Sequence, residues 1–361
     1  MAATTFCAFD ANTEGLAVAE AFAAGIHAKT VMVTGVNKGG IGYATARAFA
    51  SQAPAHLIIT GRNLDKIQDA ADTLRHEFPR LDCRLLRVDL SVQQSVRDAA
   101  AEVLGWTDVP KIDILINSAG VMGIPERTLT AEGIEMHFAT NHLGHWLLTC
   151  LLMPKLIHAA AQSPRGATRV VNVSSASPRA SVMRWSDLNF EMKNRDLPVQ
   201  EQPSYPRLAA WGYIDPENTT YNALDGYDRS KVANVLSGIG ANRRLFEQHG
   251  ILSLAVHPGI ISTELGRNFP VDQLDAVGAM REKGIFTLKT MGAGASTSMV
   301  AALDPKLAHG VGMTKDGREN WGSYLSDCHI DGQAKPLAVS SQEAERLWKR
   351  SETLVGQVFT W

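Results

Sequence analysis

The stretch Thr30-Val31-Met32-Val33-Thr34-Gly35-Val36-Asn37-Lys38-Gly39-Gly40-Ile41-Gly42 decides the fold. Its first five residues, mostly β-branched or apolar, read as a strand, and from about residue 41 the pattern becomes helical. The glycines between them have a physical purpose. The chain must turn tightly there and let backbone N–H groups approach an anion at the positive end of a helix, and a side chain would block that approach. Strand, glycine-rich turn and helix in this order predict a βα unit that binds the pyrophosphate of a dinucleotide.

The same alternation continues outward. Strand-like runs occur at Thr30 to Thr34, His56 to Thr60, Arg84 to Val88, Ile112 to Asn117, Arg169 to Ser174 and Ile251 to His257, with a weaker one at Gly322 to Ser326. Several are almost continuously apolar, as strands covered on both faces should be. Helical patterns fall at about 41–52, 64–77, 92–105, 132–161, 227–248, 292–302 and 341–356. The expected fold is α/β: a Rossmann-type, doubly wound parallel sheet with helices on both faces, the whole of 1–361 forming one NAD(P)-binding domain. Residues 176–226, rich in proline, break the rhythm as a long insertion before Tyr227 and a lid candidate. Residues 260–291 form a second excursion, a substrate-loop candidate.

Composition excludes several classes. With 45% hydrophobic and 20% charged residues, the 361-residue chain can bury a sizeable core. Its 35 Lys and Arg against 37 Asp and Glu leave a net charge of -2 and no basic run, which argues against a nucleic-acid partner. Cys7, Cys83, Cys150 and Cys328 lie far apart without a C-x-x-C pair, suggesting neither a zinc site nor a disulfide framework. No signal peptide or membrane span is read, so the expected setting is cytoplasmic. His137, His142 and His145 crowd one helix at offsets that do not share a face; they are read as surface and packing histidines, with no metal expected.

The residue that sorts NAD from NADP should follow the second strand, about 20 residues past the glycines. Arg62 stands there, and no acid appears before Asp65. A guanidinium pairs with a 2′-phosphate where a carboxylate would repel it. Lys38 adds a second positive charge, and the two together predict NADP(H).

Farther along, Tyr227-Asp228-Arg229-Ser230-Lys231 opens a helix, and a spacing of four puts phenol and ammonium on one face. A nearby ammonium favours the phenolate, so the pair suits proton transfer. Taken alone the pattern is common on exposed helix faces, and its context carries the weight.

That context is a set of linked motifs: Thr34 to Gly42, Asn117-Ser118-Ala119-Gly120, Asn141, Val171 to Ser175, Tyr227 to Lys231 and His257-Pro258-Gly259-Ile260-Ile261-Ser262-Thr263. In order and strand context they resemble the short-chain dehydrogenase/reductase superfamily. Asn141 to Thr149, Trp185 to Asn189, Tyr324 to Cys328 and Ala344 to Trp348 are similar to its retinol-dehydrogenase-like and WW-domain-oxidoreductase-like branch. The resemblance covers about residues 15 to 356.

The resemblance implies roles. Tyr227 would be the general acid in reduction, or base in oxidation, while hydride passes to or from the nicotinamide. Ser175 would hydrogen-bond the substrate oxygen. Lys231 would hold the nicotinamide ribose and lower the tyrosine pKa, and Asn141 would anchor a water serving Lys231. Gly35, Asn37, Lys38, Gly40, Ile41 and Gly42 would form the phosphate loop. Arg62 would meet the 2′-phosphate, and Asp89 and Leu90 the adenine. Asn117, Ala119 and Gly120 would line a ribose, while Pro258, Gly259 and Thr263 would face the nicotinamide. This chain departs from the family in having one extra residue between the first two glycines of the loop, in Asn117-Ser118 for Asn-Asn, and in the 52 positions that separate Ser175 from Tyr227.

For the substrate, the insertion offers Leu197, Pro203, Tyr205, Pro206, Leu208, Trp211 and Tyr213, and the later loop offers Leu265, Phe269, Leu274, Met280, Ile285, Phe286 and Met291. If both cover the nicotinamide, the partner is a bulky hydrophobic small molecule whose carbonyl and alcohol forms are interconverted. A homo-oligomer is compatible with the chain. Two other readings stay open: a dinucleotide-binding regulatory or scaffold protein without turnover, and an enzyme using the bound cofactor for a reaction with no net redox change.

Overall fold

The computed structural model describes residues 3–361. Its main sheet is built from β1 (Thr30–Thr34), β2 (His56–Gly61), β3 (Cys83–Arg87), β4 (Ile114–Asn117), β5 (Arg169–Val173) and β6 (Leu252–His257). A two-stranded hairpin, β7 (Met313–Lys315) with β8 (Arg318–Trp321), stands apart, and β9 (Tyr324–Ser326) and β10 (His329–Ile330) return to the sheet edge. The strand order is β10-β9-β6-β5-β4-β1-β2-β3, parallel throughout except for β10.

Alternation along each strand explains why both faces are covered. Met32, Ile58, Leu115 and Val170 point into one apolar layer, while Val31, Val33, Leu57, Ile59, Ile114 and Ile116 point into the other. The first layer is closed by the helices Gln93–Gly105, Gly144–Leu151, Met153–Ala160, Ala223–His249 and Ser341–Val355. The second is closed by Gly15–Ala21, Ile41–Ala50, Leu64–Glu77 and Met291–Leu303. Crossovers run to β2 and β3 on one side of β1 and to β4, β5 and β6 on the other. The order therefore reverses between β1 and β4, and a crevice opens at the carboxyl ends of those strands.

Some expectations need correction. The helix read over 132–161 is three pieces: a π-helical turn Phe138–Leu143, then Gly144–Leu151, then Met153–Ala160 with Pro154 in its first turn. Tyr227 does not open its helix, which begins at Ala223. None of His137, His142 and His145 is at the surface; each is buried and partnered within the protein by Glu135, Ser351 and Thr34 respectively. No helix among the described residues is long and apolar enough to cross a membrane.

Candidate active site

The crevice is a cleft of about 460 Å³ whose floor is the ends of the parallel strands. After β1, Gly35 adopts φ +71°, and a Cβ there would meet the Cα of Ala119 at 2.5 Å. A Cβ on Gly42 would lie 2.5 Å from the Gly35 carbonyl oxygen. These positions exclude side chains because the first turn, the β4 loop and the helix meet backbone to backbone. Gly40 caps Ile41–Ala50 without a side-chain hydrogen bond, which leaves first-turn N–H groups for an anion. Thr60 lines the cleft with a buried hydroxyl that lacks a protein partner. The cradle thus fits a dinucleotide.

Gly35, Asn37, Gly40, Ile41, Gly42, Arg62, Asp89, Leu90, Ala119, Gly120, Ser175, Tyr227, Lys231, Pro258, Gly259 and Thr263 all line this cleft. Lys38 does not: its ammonium turns outward to Asp69 at 2.6 Å, where both groups are exposed. Asn117 does not either. Its amide donates to Thr149 at 3.1 Å and Asn172 at 3.0 Å, and Asn172 donates on to Ser253 at 3.1 Å, forming a buried ladder across β4, β5 and β6.

Asn141 stands one layer behind the cleft. Its side chain accepts from Val121 N–H at 2.8 Å and donates to the Val121 carbonyl and the Ser230 hydroxyl, both at 2.9 Å. Its own carbonyl already accepts from His145 Nδ1 at 3.0 Å, so a water there would use the remaining lone pair. Thr34 Oγ1 accepts from Ser118 and Ala119 N–H, so its proton goes to His145 Nε2 at 2.8 Å. One buried histidine thereby ties the glycine turn to Asn141. Burial lowers its pKa to about 4, which keeps the ring neutral.

The long helix Ala223–His249 brings the phenol and the ammonium to the cleft. Lys231 Nζ lies 5.6 Å from the centroid of the Tyr227 ring and donates to the Val173 carbonyl at 2.8 Å. Burial sets the electrostatics of both. It lowers the Lys231 pKa to about 7 and raises that of Tyr227 well above the usual phenol value, a rise opposed by the Ser175 hydroxyl. Any pull of the Lys231 ammonium on the phenol thus works against the desolvation of both groups. Desolvation is the largest influence on each.

Several cleft residues went unread in the sequence. Lys66, four residues past Arg62, lines the cleft and pairs at 2.9 Å with Glu264 from the loop after β6. A second cation on the first turn after β2 was the available signal. Thr140, Val121, Leu265 and Arg267 also line it. Of the apolar residues expected over the cleft, Leu265 is present, whereas Leu274 and Ile285 are exposed and Leu197 and Leu208 are buried. Trp211 and Phe269 nevertheless bring the two excursions together, with ring centroids 5.8 Å apart. The insertion is firmly held. Buried Arg184 bonds Asn194, Asp187 and the Met192 carbonyl, and Arg229 on the helix Ala223–His249 donates to the carbonyls of Val182 and Glu201, both at 2.7 Å.

A profile of the family described as short chain dehydrogenase matches residues 29–187. The chain is 38% identical over 251 residues to the oxidoreductase fscI of Fusarium equiseti, covering 70% of this chain and 94% of that protein. It is 33% identical over 347 residues to retinol dehydrogenase 14 of Mus musculus, covering 92% and 87%. Among solved structures, an uncharacterised protein of Mycobacterium paratuberculosis superposes with a TM-score of 0.59 at 25% identity, covering 94% of this chain and 98% of that one.

Proposed function

This chain belongs to the short-chain dehydrogenase family, and on that premise we propose that it is an NADP(H)-dependent oxidoreductase interconverting a carbonyl and an alcohol on a bulky hydrophobic molecule. The observation that carries the reading is the meeting of Ser175, Tyr227 and Lys231 at one end of a cleft whose other end holds the glycine cradle and Arg62. A bound nicotinamide dinucleotide would supply or accept the hydride.

The remaining chemistry belongs to side chains. Tyr227, protonated because it is buried, starts in the form a general acid needs for reduction. Ser175 holds the substrate oxygen beside it. Lys231, with a pKa near neutrality, can pass a proton in either direction, and Asn141 braces the chain beside it. Arg62, exposed at the cleft rim and without an ion pair among the described residues, favours NADP(H) over NAD(H) by meeting a 2′-phosphate. Lys66 would join it on release from Glu264.

The contact of Trp211 with Phe269, which joins the two apolar excursions, supports a large apolar substrate, and retinol, the alcohol after which one relative is named, is lipophilic. Residues 176–226 act as an anchored roof in this reading, within one domain. The free thiol of Cys7 and the three buried cysteines suit a reducing compartment such as the cytoplasm.

The test is NADPH consumption with decanal, menadione, fluorenone and glucose, run beside Tyr227→Phe. Turnover of the apolar carbonyls by the wild type, with glucose inert, is expected. Absence of NADPH loss with every carbonyl would overturn the reading.

A further inference from the structure

Beside the cleft lies a hydrogen-bonded chain that crosses from the insertion to Ser175. The Ser175 and Ser177 hydroxyls are 2.6 Å apart, and the Ser177 hydroxyl donates to Asp228 Oδ1 at 2.6 Å. Arg207, on the insertion helix Tyr205–Ala210, closes the chain by donating to both Asp228 oxygens, at 3.0 and 3.2 Å. Ser181 makes a longer contact with the same carboxylate at 3.4 Å. Ser177 and Asp228 are buried.

The direction of each proton follows from valence. A carboxylate held by a guanidinium can only accept, so Ser177 spends its one proton on Asp228. Ser177 then has only lone pairs for its neighbour, and the 2.6 Å contact requires Ser175 to donate toward Ser177. Ser175 Oγ also accepts from the Ser177 N–H at 3.0 Å. The oxygen is thus pinned from two sides, on a residue that lines the cleft.

We propose that Asp228 and Ser177 are positioning residues that fix the place of the Ser175 oxygen, with Arg207 linking the insertion to the chemistry. This rests on the reading of Ser175 as the group that meets the substrate oxygen. The insertion then has a second purpose besides roofing the cleft. It supplies the cation that keeps the chain polarised toward Asp228, and Ser175 meets an incoming carbonyl from a fixed position, turning one proton from Ser177 to the substrate.

A double-mutant cycle with a structural arm tests this. Ser177→Ala removes one small hydroxyl and leaves Asp228 with Arg207. Its kcat on the fastest carbonyl of the panel is expected to fall about tenfold, as loss of one charge-linked hydrogen bond implies, with NADPH affinity by fluorescence unchanged. In a Ser175→Ala background the same change should cost nothing further. A second full loss there, or NADPH affinity falling in step with kcat, would overturn the proposal. Asp228→Asn is the second variant, expected to follow the same pattern. A crystal structure of Ser177→Ala needs no turnover: with only the residue 177 N–H left as an anchor, the Ser175 side chain should spread over a second rotamer, and a single unmoved rotamer would overturn the proposal. Wild type that turns over no carbonyl refutes the functional reading instead, and the crystal structure still decides this one.

Discussion

The Lys231 ammonium lies over the Tyr227 ring, 5.6 Å from its centre, and is tied to the Val173 carbonyl at 2.8 Å. Both groups are buried at the cleft wall, so each pKa moves toward the neutral form: lysine down to about 7, tyrosine up. Burial thus favours the neutral phenol and brings the lysine to about half protonation near pH 7, and that sets what pH should do.

The lysine gives a stability signature. Its folded pKa is depressed below the ordinary value of 10.5, so between about pH 7 and pH 10 the unfolded chain binds a proton that the folded one has released. Stability from this group therefore rises with pH across that window, by on the order of 1 kcal/mol per pH unit. Lys231→Met should unfold at higher denaturant than wild type at pH 7, and the gap should shrink by pH 9. Equal midpoints at both pH values would contradict the assigned burial.

Tyr227→Phe deletes the proton donor and leaves the ring in place. We expect a kcat loss of about 10²- to 10⁴-fold, the usual contribution of a general acid. NADPH binding and the melting temperature should stay near wild type.

Arg62→Ala should weaken NADPH binding by about tenfold or more and leave NADH binding unchanged, because a charge-assisted bond to phosphate is worth roughly 1.5–3 kcal/mol. Titration of both cofactors by fluorescence measures it. Parallel loss of both would place Arg62 elsewhere in the mechanism. Lys38→Ala, by contrast, should change neither affinity much, since that ammonium faces Asp69.

Gly42→Ala forces a Cβ to within 2.5 Å of the Gly35 carbonyl oxygen, a backbone atom that cannot step aside cheaply. Loss of dinucleotide binding, with a lower melting temperature, is expected. Gly278→Ala, whose added carbon would meet nothing within 4 Å, serves as the control and should bind normally.

Trp211→Ala removes the ring contact that joins the two excursions, which the proposed roof over the substrate needs. The KM for a large carbonyl such as fluorenone should rise several-fold while that for a small one such as propanal barely moves, read from initial rates. Equal effects on both would remove Trp211 from substrate contact.

The strands were legible because their side chains alternate between two apolar layers, a pattern written locally in Thr30–Thr34, His56–Gly61 and Leu252–His257. The glycine turn was legible for the same reason, being a local steric demand. The helix Gly15–Ala21 left no clear signal, since its Ala-rich sequence is held by packing on Ile41–Ala50 and Met291–Leu303. The break at Phe138–Leu143 was equally hidden: Asn141 bonds residues twenty and eighty-nine positions away.

Residue order alone determined the alternating architecture, the phosphate cradle and the pairing of Tyr227 with Lys231 on one helix face, because each depends on neighbours within a few positions. Tertiary structure decided which cations reach the cleft, turning Lys38 to Asp69 and leaving Arg62 open. It also buried the Tyr227 phenol, which raises its pKa, and joined Arg207 to Ser175 through Asp228 and Ser177. Desolvation and hydrogen-bond partnership depend on what packs around a group, and those neighbours come from strands, loops and an insertion that meet only when the chain has folded.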